Sequence, residues 1–197
     1  MGATEEIIKM AKENNGTVTT AMVVAADISR GNIKYLVDKG ILEKSARGVY
    51  ILPEVWGDEM FNLQSRFKRG IYSHETALFL WNLTDRTPNR YYMTFPVNYN
   101  LAKPKEENIR CVQCKENLYD FGVAKVLTPG GNTVKAYSVE RTLCDILRSH
   151  SHVDIQIVTE AFKRYASRTN KNIPILSEYA KTLKVEKRLR AYLEVLL

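Results

Sequence analysis

Arg30, Asn32 and Lys34 lie within residues 29–38, a stretch whose side chains have the chemistry needed to read base pairs. An arginine pairs bidentately with guanine, an asparagine pairs with adenine, and a lysine suits a phosphate. In the same stretch Ile33, Leu36 and Val37 recur at i, i+3 and i+4, so they must face a core. Arg30, Gly31, Lys34, Tyr35 and Asp38 are left outside, with Asn32 near the edge. Ser29 is the expected N-cap of this helix and stands with the exposed set. Lys44 and Arg47 flank residues 45–48, where a hairpin tip would meet a nucleic-acid backbone or minor groove. A small helical fold with an ordinary solvated face would carry similar charges, so the order of elements has to weigh between the two.

Other constellations have the residue types for chemistry but not the spacing. Cys111-Val-Gln-Cys114 stands alone, whereas a structural zinc site needs four ligands and usually a second pair. On a strand its two thiols would point to opposite faces. Cys144, His150 and His152 fit no standard ligand pattern, so no metal and no cofactor are expected. His74-Glu75 follows Ser73, a helix cap, with no nucleophile or orienting acid at hand. Arg141 and Asp145 are spaced to pair along one helix. No Walker loop and no GxGxxG occur, and no catalytic group is assigned. The expectation is a protein that is not an enzyme.

The elements that must position Arg30 and its neighbours follow from periodicity. Thr4 precedes a helix over 5–13 carrying Ile7, Ile8 and Ala11 on one face, and Asn14, Asn15 and Gly16 end it. Thr19 or Thr20 caps a short second helix, residues 29–39 make the third, and Gly40 stops it. Two short β-prone runs over 41–52 then read as a hairpin. Three helices followed by a hairpin is the winged helix-turn-helix order, in which the third helix enters the major groove.

Beyond this, residues 57–69 read as a helix, Ser73 caps another, and 91–95 reads as a strand. Residues 98–108 read as a loop, 109–114 and 119–127 as strands, Thr128-Pro-Gly-Gly-Asn132 as a turn and 133–137 as a strand. From Ser138 onward four apolar stripes mark helices, the last on Val185, Leu189, Tyr192 and Leu196. The fold expected is α+β. A winged helix-turn-helix domain over 1–55 precedes a larger domain over 56–197 with a small antiparallel sheet and several helices. The second part is long enough to bury a core of its own.

The 197 residues carry a formal net charge of +7, which favours a polyanionic partner without proving one. Residues 1–55 are neutral overall, yet 28–47 holds five bases against Asp38 and Glu43. Residues 141–190 hold eleven bases against five acids. Arg148, Lys163, Arg164 and Arg168 could form a second phosphate-tracking patch there, or a solvated face with favourable charges at helix ends. No apolar run is long enough to span a membrane, and the acidic start MGATEEIIKM does not read as a secretory leader. Three cysteines suit a reducing cytoplasm better than a disulfide scaffold.

Five segments carry a resemblance. They are Ile28-Ser-Arg-Gly-Asn-Ile-Lys-Tyr-Leu-Val-Asp-Lys-Gly40, Arg47-Gly-Val-Tyr50, Tyr72-Ser-His-Glu-Thr-Ala-Leu78, Leu83-Thr-Asp-Arg86 and Tyr137-Ser-Val-Glu-Arg-Thr-Leu-Cys-Asp-Ile-Leu147. With them the chain resembles the AbiEi antitoxins of bacterial abortive-infection, type IV toxin–antitoxin systems. The resemblance implies a phage-resistance operon whose antitoxin binds inverted repeats in its own promoter, represses it, and counters a nucleotidyltransferase-like AbiEii toxin without a stable complex. It implies double-stranded DNA as partner, no membrane partner, and DNA contacts from Arg30, Asn32, Lys34 and Arg47. The C-terminal basic residues would extend that surface. The alternative is a winged-helix regulator with a ligand-sensing C-terminal domain and no toxin partner.

Overall fold

A computed structural model describes residues 2–196, with the side chains of Val195 and Leu196 left aside. Leu196, placed in the last apolar stripe, therefore has a described backbone only. The chain divides into two compact units. One takes the chain up to Lys68 together with Leu127–Val134; the other takes Arg69–Val126 and the chain from Lys135 on.

The first unit runs α1 (Ala3–Glu13), β1 (Thr17–Thr19), α2 (Thr20–Ala25), α3 (Gly31–Asp38), β2 (Glu43–Ala46), β3 (Val49–Ile51) and α4 (Glu59–Arg66). Glu5 accepts the Gly2 N–H at 2.9 Å, so α1 starts before the expected Thr4 cap. Asn15 and Gly16 take positive φ and end it, as the Asn-Asn-Gly run requires. Thr19 caps α2 by accepting the Met22 N–H. The β-branched run Thr17–Thr19, too short to show a period, forms a strand that pairs antiparallel with β3. With β2 on the other side of β3, this makes a three-stranded sheet. Ile7 and Ala11 of α1, Val23 of α2, and Ile33 and Leu36 of α3 close one core with Val18, Leu42 and Leu52. Fully burying an aliphatic side chain of this kind contributes about 1.5–3 kcal/mol.

The contact boundary falls later than residue 55 because Asp58 ties two stretches together. Its carboxylate caps α4 through the Phe61 N–H at 3.0 Å. It also accepts from Thr128 Oγ1, and from Asn132 Nδ2 at 3.0 Å. The Thr128–Asn132 turn is therefore held in the first unit. Asn15 Nδ2 donates to Gly131 O at 2.6 Å from the other side.

The second unit carries β4 (Ile71–Tyr72), α5 (His74–Leu80), β5 (Tyr92–Pro96), α6 (Ala102–Glu106), β6 (Arg110–Cys114), α7 (Glu116–Tyr119), β7 (Val123–Leu127), β8 (Thr133–Tyr137), α8 (Val139–Ile146), α9 (Ile155–Ala166), α10 (Ile173–Thr182) and α11 (Glu186–Leu196). The sheet order is β6-β5-β4-β8-β7. This sheet is mixed rather than antiparallel. β4 runs antiparallel to β5, but β4 with β8 and β5 with β6 are parallel. Parallel neighbours need a crossover, and α6, in the stretch expected to be loop, lies within it. Every residue of β5 is buried, as suits a strand covered on both faces. The expected strand over 119–127 begins only at Val123, because α7 occupies 116–119. The stripes of α8 to α11 close the main core against Leu78 and Leu83.

Candidate nucleic-acid interface

The interface begins with how α3 is held. Ile33 and Leu36 are buried and Val37 is partly buried, which fixes the helix rotation. Arg30, Lys34, Tyr35 and Asp38 are left exposed. Arg30, rather than Ser29, occupies the N-cap position, and it makes no side-chain cap bond. The Ser29 hydroxyl reaches only the Gly31 N–H, at 3.4 Å. The helix entry is instead closed by backbone: Ile33 and Lys34 N–H groups both donate to Arg30 O. Asn32 is half-buried, and its Nδ2 donates to Ser29 O at 3.2 Å. Its amide is thus engaged with the chain, and pairing with adenine would require that bond to break.

The side chains of Arg30, Lys34, Lys44 and Arg47 are exposed and have no hydrogen-bond or ion-pair partner among the described residues. Tyr35 is 52% exposed, with the Lys39 ammonium 5.9 Å from its ring centre. The hairpin tip is fixed to the helices by the Thr20 N–H, which donates to Gly48 O at 2.9 Å. Gly48 has φ +76°, a conformation glycine adopts freely, so the turn presents Arg47 without backbone strain. Trp56, just past β3, is 95% exposed. A lone aromatic between Pro53 and Gly57 gives no periodic signal, so nothing in the sequence marks it.

The four bases expected in the second unit are placed differently. Arg164 meets both oxygens of Asp85 and also Glu160, at 2.8 Å. The hydrogen bond from Arg164 holds the Asp85 carboxyl below its ordinary value. Thr84 donates to Glu160 at 3.1 Å and completes this lattice. Arg168 donates to Trp81 O. Arg148 stands 3.7 Å from Asp145. Of the four, only Lys163 has a side chain with no partner among the described residues. The expected patch is therefore largely an internal network of ion pairs and hydrogen bonds.

The segments around His74 and Arg141 are structural and densely connected. Ser73 makes no cap bond; its hydroxyl accepts from Thr94 Oγ1 at 2.9 Å. His74 stacks on Tyr92 with ring centres 5.5 Å apart. Its Nδ1 is buried without a hydrogen-bond partner among the described residues. Burial pushes its pKa below 6.5, partly offset by Asp145, while Arg148, His150 and Arg141 push it further down. Arg141 is 1% exposed. Its Nε donates to Asp145 at 2.9 Å, and its Nη1 donates to Leu118 O at 2.9 Å and Phe121 O at 2.6 Å. Its guanidinium lies 4.3 Å from the Tyr137 ring centre. Sequence spacing revealed the Arg141–Asp145 pair but not its burial.

None of the thiols is poised to react. Cys111 is half-buried on β6 and Cys114 is buried, and burial raises the Cys111 thiol. Burial pushes the Cys144 thiol up to about 12. Among the described residues no three His, Cys, Asp or Glu side chains gather as a metal site. No helix among them is long and apolar enough to cross a membrane.

Residues 5–53 match the family model described as transcriptional regulator, AbiEi antitoxin. No curated protein matches the chain. Among solved structures, the RV2827C protein from Mycobacterium tuberculosis aligns with a TM-score of 0.54 at 16% identity, covering 91% of this chain and 71% of that one. At that identity the likeness concerns the fold.

Proposed function

From the match of residues 5–53 to the model of AbiEi antitoxin transcriptional regulators, we propose that the chain is a winged helix-turn-helix antitoxin and autorepressor. It binds inverted repeats in its own promoter and counters a nucleotidyltransferase-like toxin without forming a stable complex with it, in the cytoplasm. One observation carries the reading. The cations of α3 and of the β2–β3 hairpin are unpaired and exposed over a sealed core, whereas three of the four bases expected in the second unit, Arg148, Arg164 and Arg168, are engaged by partners within the chain. Arg30 reads a base edge, Lys34 and Arg47 hold phosphates, and Lys44 and Tyr35 flank them. Ser29 lies at the helix entry. Asn32 contributes once its bond to Ser29 O opens. Of the four second-unit bases, Lys163 is the one whose side chain is free to lengthen the footprint. Arg148, Arg164 and Arg168 serve there mainly to hold the fold.

The test is a gel shift on the DNA upstream of the chain's own gene, with scrambled duplex as competitor, at two salt concentrations. A specific shift that weakens with salt supports the reading. A shift equally competed by scrambled duplex overturns the operator assignment.

A further inference from the structure

We propose that a cleft in the second unit binds a small polyphosphate-bearing ligand of the nucleoside triphosphate class. The cleft has a volume of about 570 Å³ and is formed by the segment after α8 together with the α10–α11 junction. Small-molecule sites commonly fall between roughly 300 and 1,000 Å³. Arg148, Lys181, Lys184, Lys187 and Arg188 line it against one carboxylate, Glu186. Five cations around one concavity repel each other, and a compact polyanion relieves that repulsion.

The two arginines are anchored and the three lysines are not. Arg188 Nη1 donates to Leu147 O at 2.6 Å, which orients the guanidinium and leaves its other N–H groups for a ligand. Arg148 is steadied by Asp145 at 3.7 Å. Lys181, Lys184 and Lys187 are exposed and have no side-chain partner among the described residues. The first turn of α11 also lines the cleft, and its leading N–H groups have no partner within the helix. Leu147, Leu183 and Val185 provide apolar wall between the cations, against which a base or sugar could lie.

Lys184 gives the site a position at which its charge can be removed without loss of the fold. It has φ +58° at the junction between α10 and α11. Its N–H donates to Lys181 O and the Val185 N–H to Ala180 O, a helix ending at which glycine is the usual resident. Lys184 thus holds a conformation that glycine adopts more freely, and it lines the cleft.

The experiment is titration calorimetry of the full chain with ATP and, separately, with inorganic tripolyphosphate, in the absence of DNA. Two variants are included, Lys184→Gly and the double change Lys184→Glu with Lys187→Glu. The expected result is saturable binding by the unaltered protein. Lys184→Gly should bind about tenfold more weakly while its thermal midpoint holds or rises, since it relieves the backbone. ATP binding more tightly than tripolyphosphate identifies a nucleotide; equal binding identifies the phosphate chain as the whole of the recognition; both support the site. No saturable heat with either probe overturns it, and so does unchanged affinity in both variants. Loss of duplex affinity in the glutamate variant without prior nucleotide binding also overturns it, by assigning the cleft to DNA. An unaltered operator shift in that variant keeps the cleft apart from the α3 reading, which is tested by its own gel shift.

Discussion

Arg141 and Asp145 lie one turn apart on α8 and form an ion pair that is nearly closed to solvent, with Nε 2.9 Å from Oδ2. Gly122 completes the arrangement: its φ is +74°, and a Cβ there would lie 2.9 Å from Arg141 Cβ. The arginine thus ties α8 to α7 and the segment after it through the carbonyls of Leu118 and Phe121, the Phe121 ring and Gly122, and it also stacks on Tyr137 of β8. Arg141→Met is expected to destabilise the fold by about 3–5 kcal/mol, because it strands a buried carboxylate. Adding Asp145→Leu should recover much of that loss. Urea unfolding of the two single variants and the double variant checks it; equal losses in Arg141→Met and in the double variant would refute it.

Asp58→Ala removes the cap of α4 and the shared acceptor of Thr128 and Asn132. The expected cost is about 1–3 kcal/mol, from the lost cap and the orphaned donors together. Asp58→Asn keeps an acceptor and should lose less. Thermal midpoints of both variants test the order.

His74 makes stability depend on pH. The folded imidazole is buried and held neutral, so its pKa lies below the ordinary 6.5. As pH falls below 6.5 the unfolded chain takes up this proton before the folded one does, and stability declines until the lower folded value is passed. Above 6.5 the contribution is flat. Asn also tolerates the positive φ of 50° at this position, so His74→Asn should flatten the decline between about pH 7 and about pH 5 without breaking the turn. Chemical denaturation across that range gives the result, and an unchanged slope in the variant would exclude His74 as its source.

The α3 assignment separates two kinds of loss. Lys34→Ala should weaken binding to every duplex and lower the salt slope by about one, as a lost phosphate contact does. Arg30→Ala should cost about 1–3 kcal/mol on the operator and relax discrimination at one base pair. Neither should move the thermal midpoint, since both side chains are exposed and unpartnered. Fluorescence anisotropy on operator and scrambled duplexes distinguishes them.

Lys163 and Arg164 are adjacent in sequence but should behave differently. Arg164→Glu breaks pairs with Asp85 and Glu160 and should lower the thermal midpoint only slightly, because solvent screens exposed pairs. Lys163→Glu should leave the midpoint alone and weaken duplex binding. The reverse pattern would return the whole patch to the solvated-face reading.

How much of this was legible beforehand depended on period and burial. The helix faces of α1, α3 and α8 to α11 followed from apolar spacing, and that spacing placed Ile33, Leu36 and Val37 inward. β1 and β4 escaped notice because three and two residues show no period, and their existence depends on partners far along the chain. The parallel pairs were invisible for the same reason. Arg164 read as free because Asp85 lies 79 residues away, and Asn32 read as free because its bond is to backbone. Spacing shows which charges share a helix face, whereas ion pairing depends on what folds back over that face.

The stretch Leu127–Val134 is assigned to one unit while the strand residues leading into and out of it belong to the other. A single cut cannot therefore divide this protein into its two halves. The path crosses the division three times, and the matched family segment ends at residue 53, before Asp58 and before the turn that Asp58 holds. Transplanting residues 5–53 alone into another chain would carry the three helices and the hairpin but leave the Asn15 amide without Gly131. Removing them would strip the turn of Asn15, and cutting past α4 would also take away Asp58. Fragments meant to report on either half in isolation would thus each carry a wound of their own.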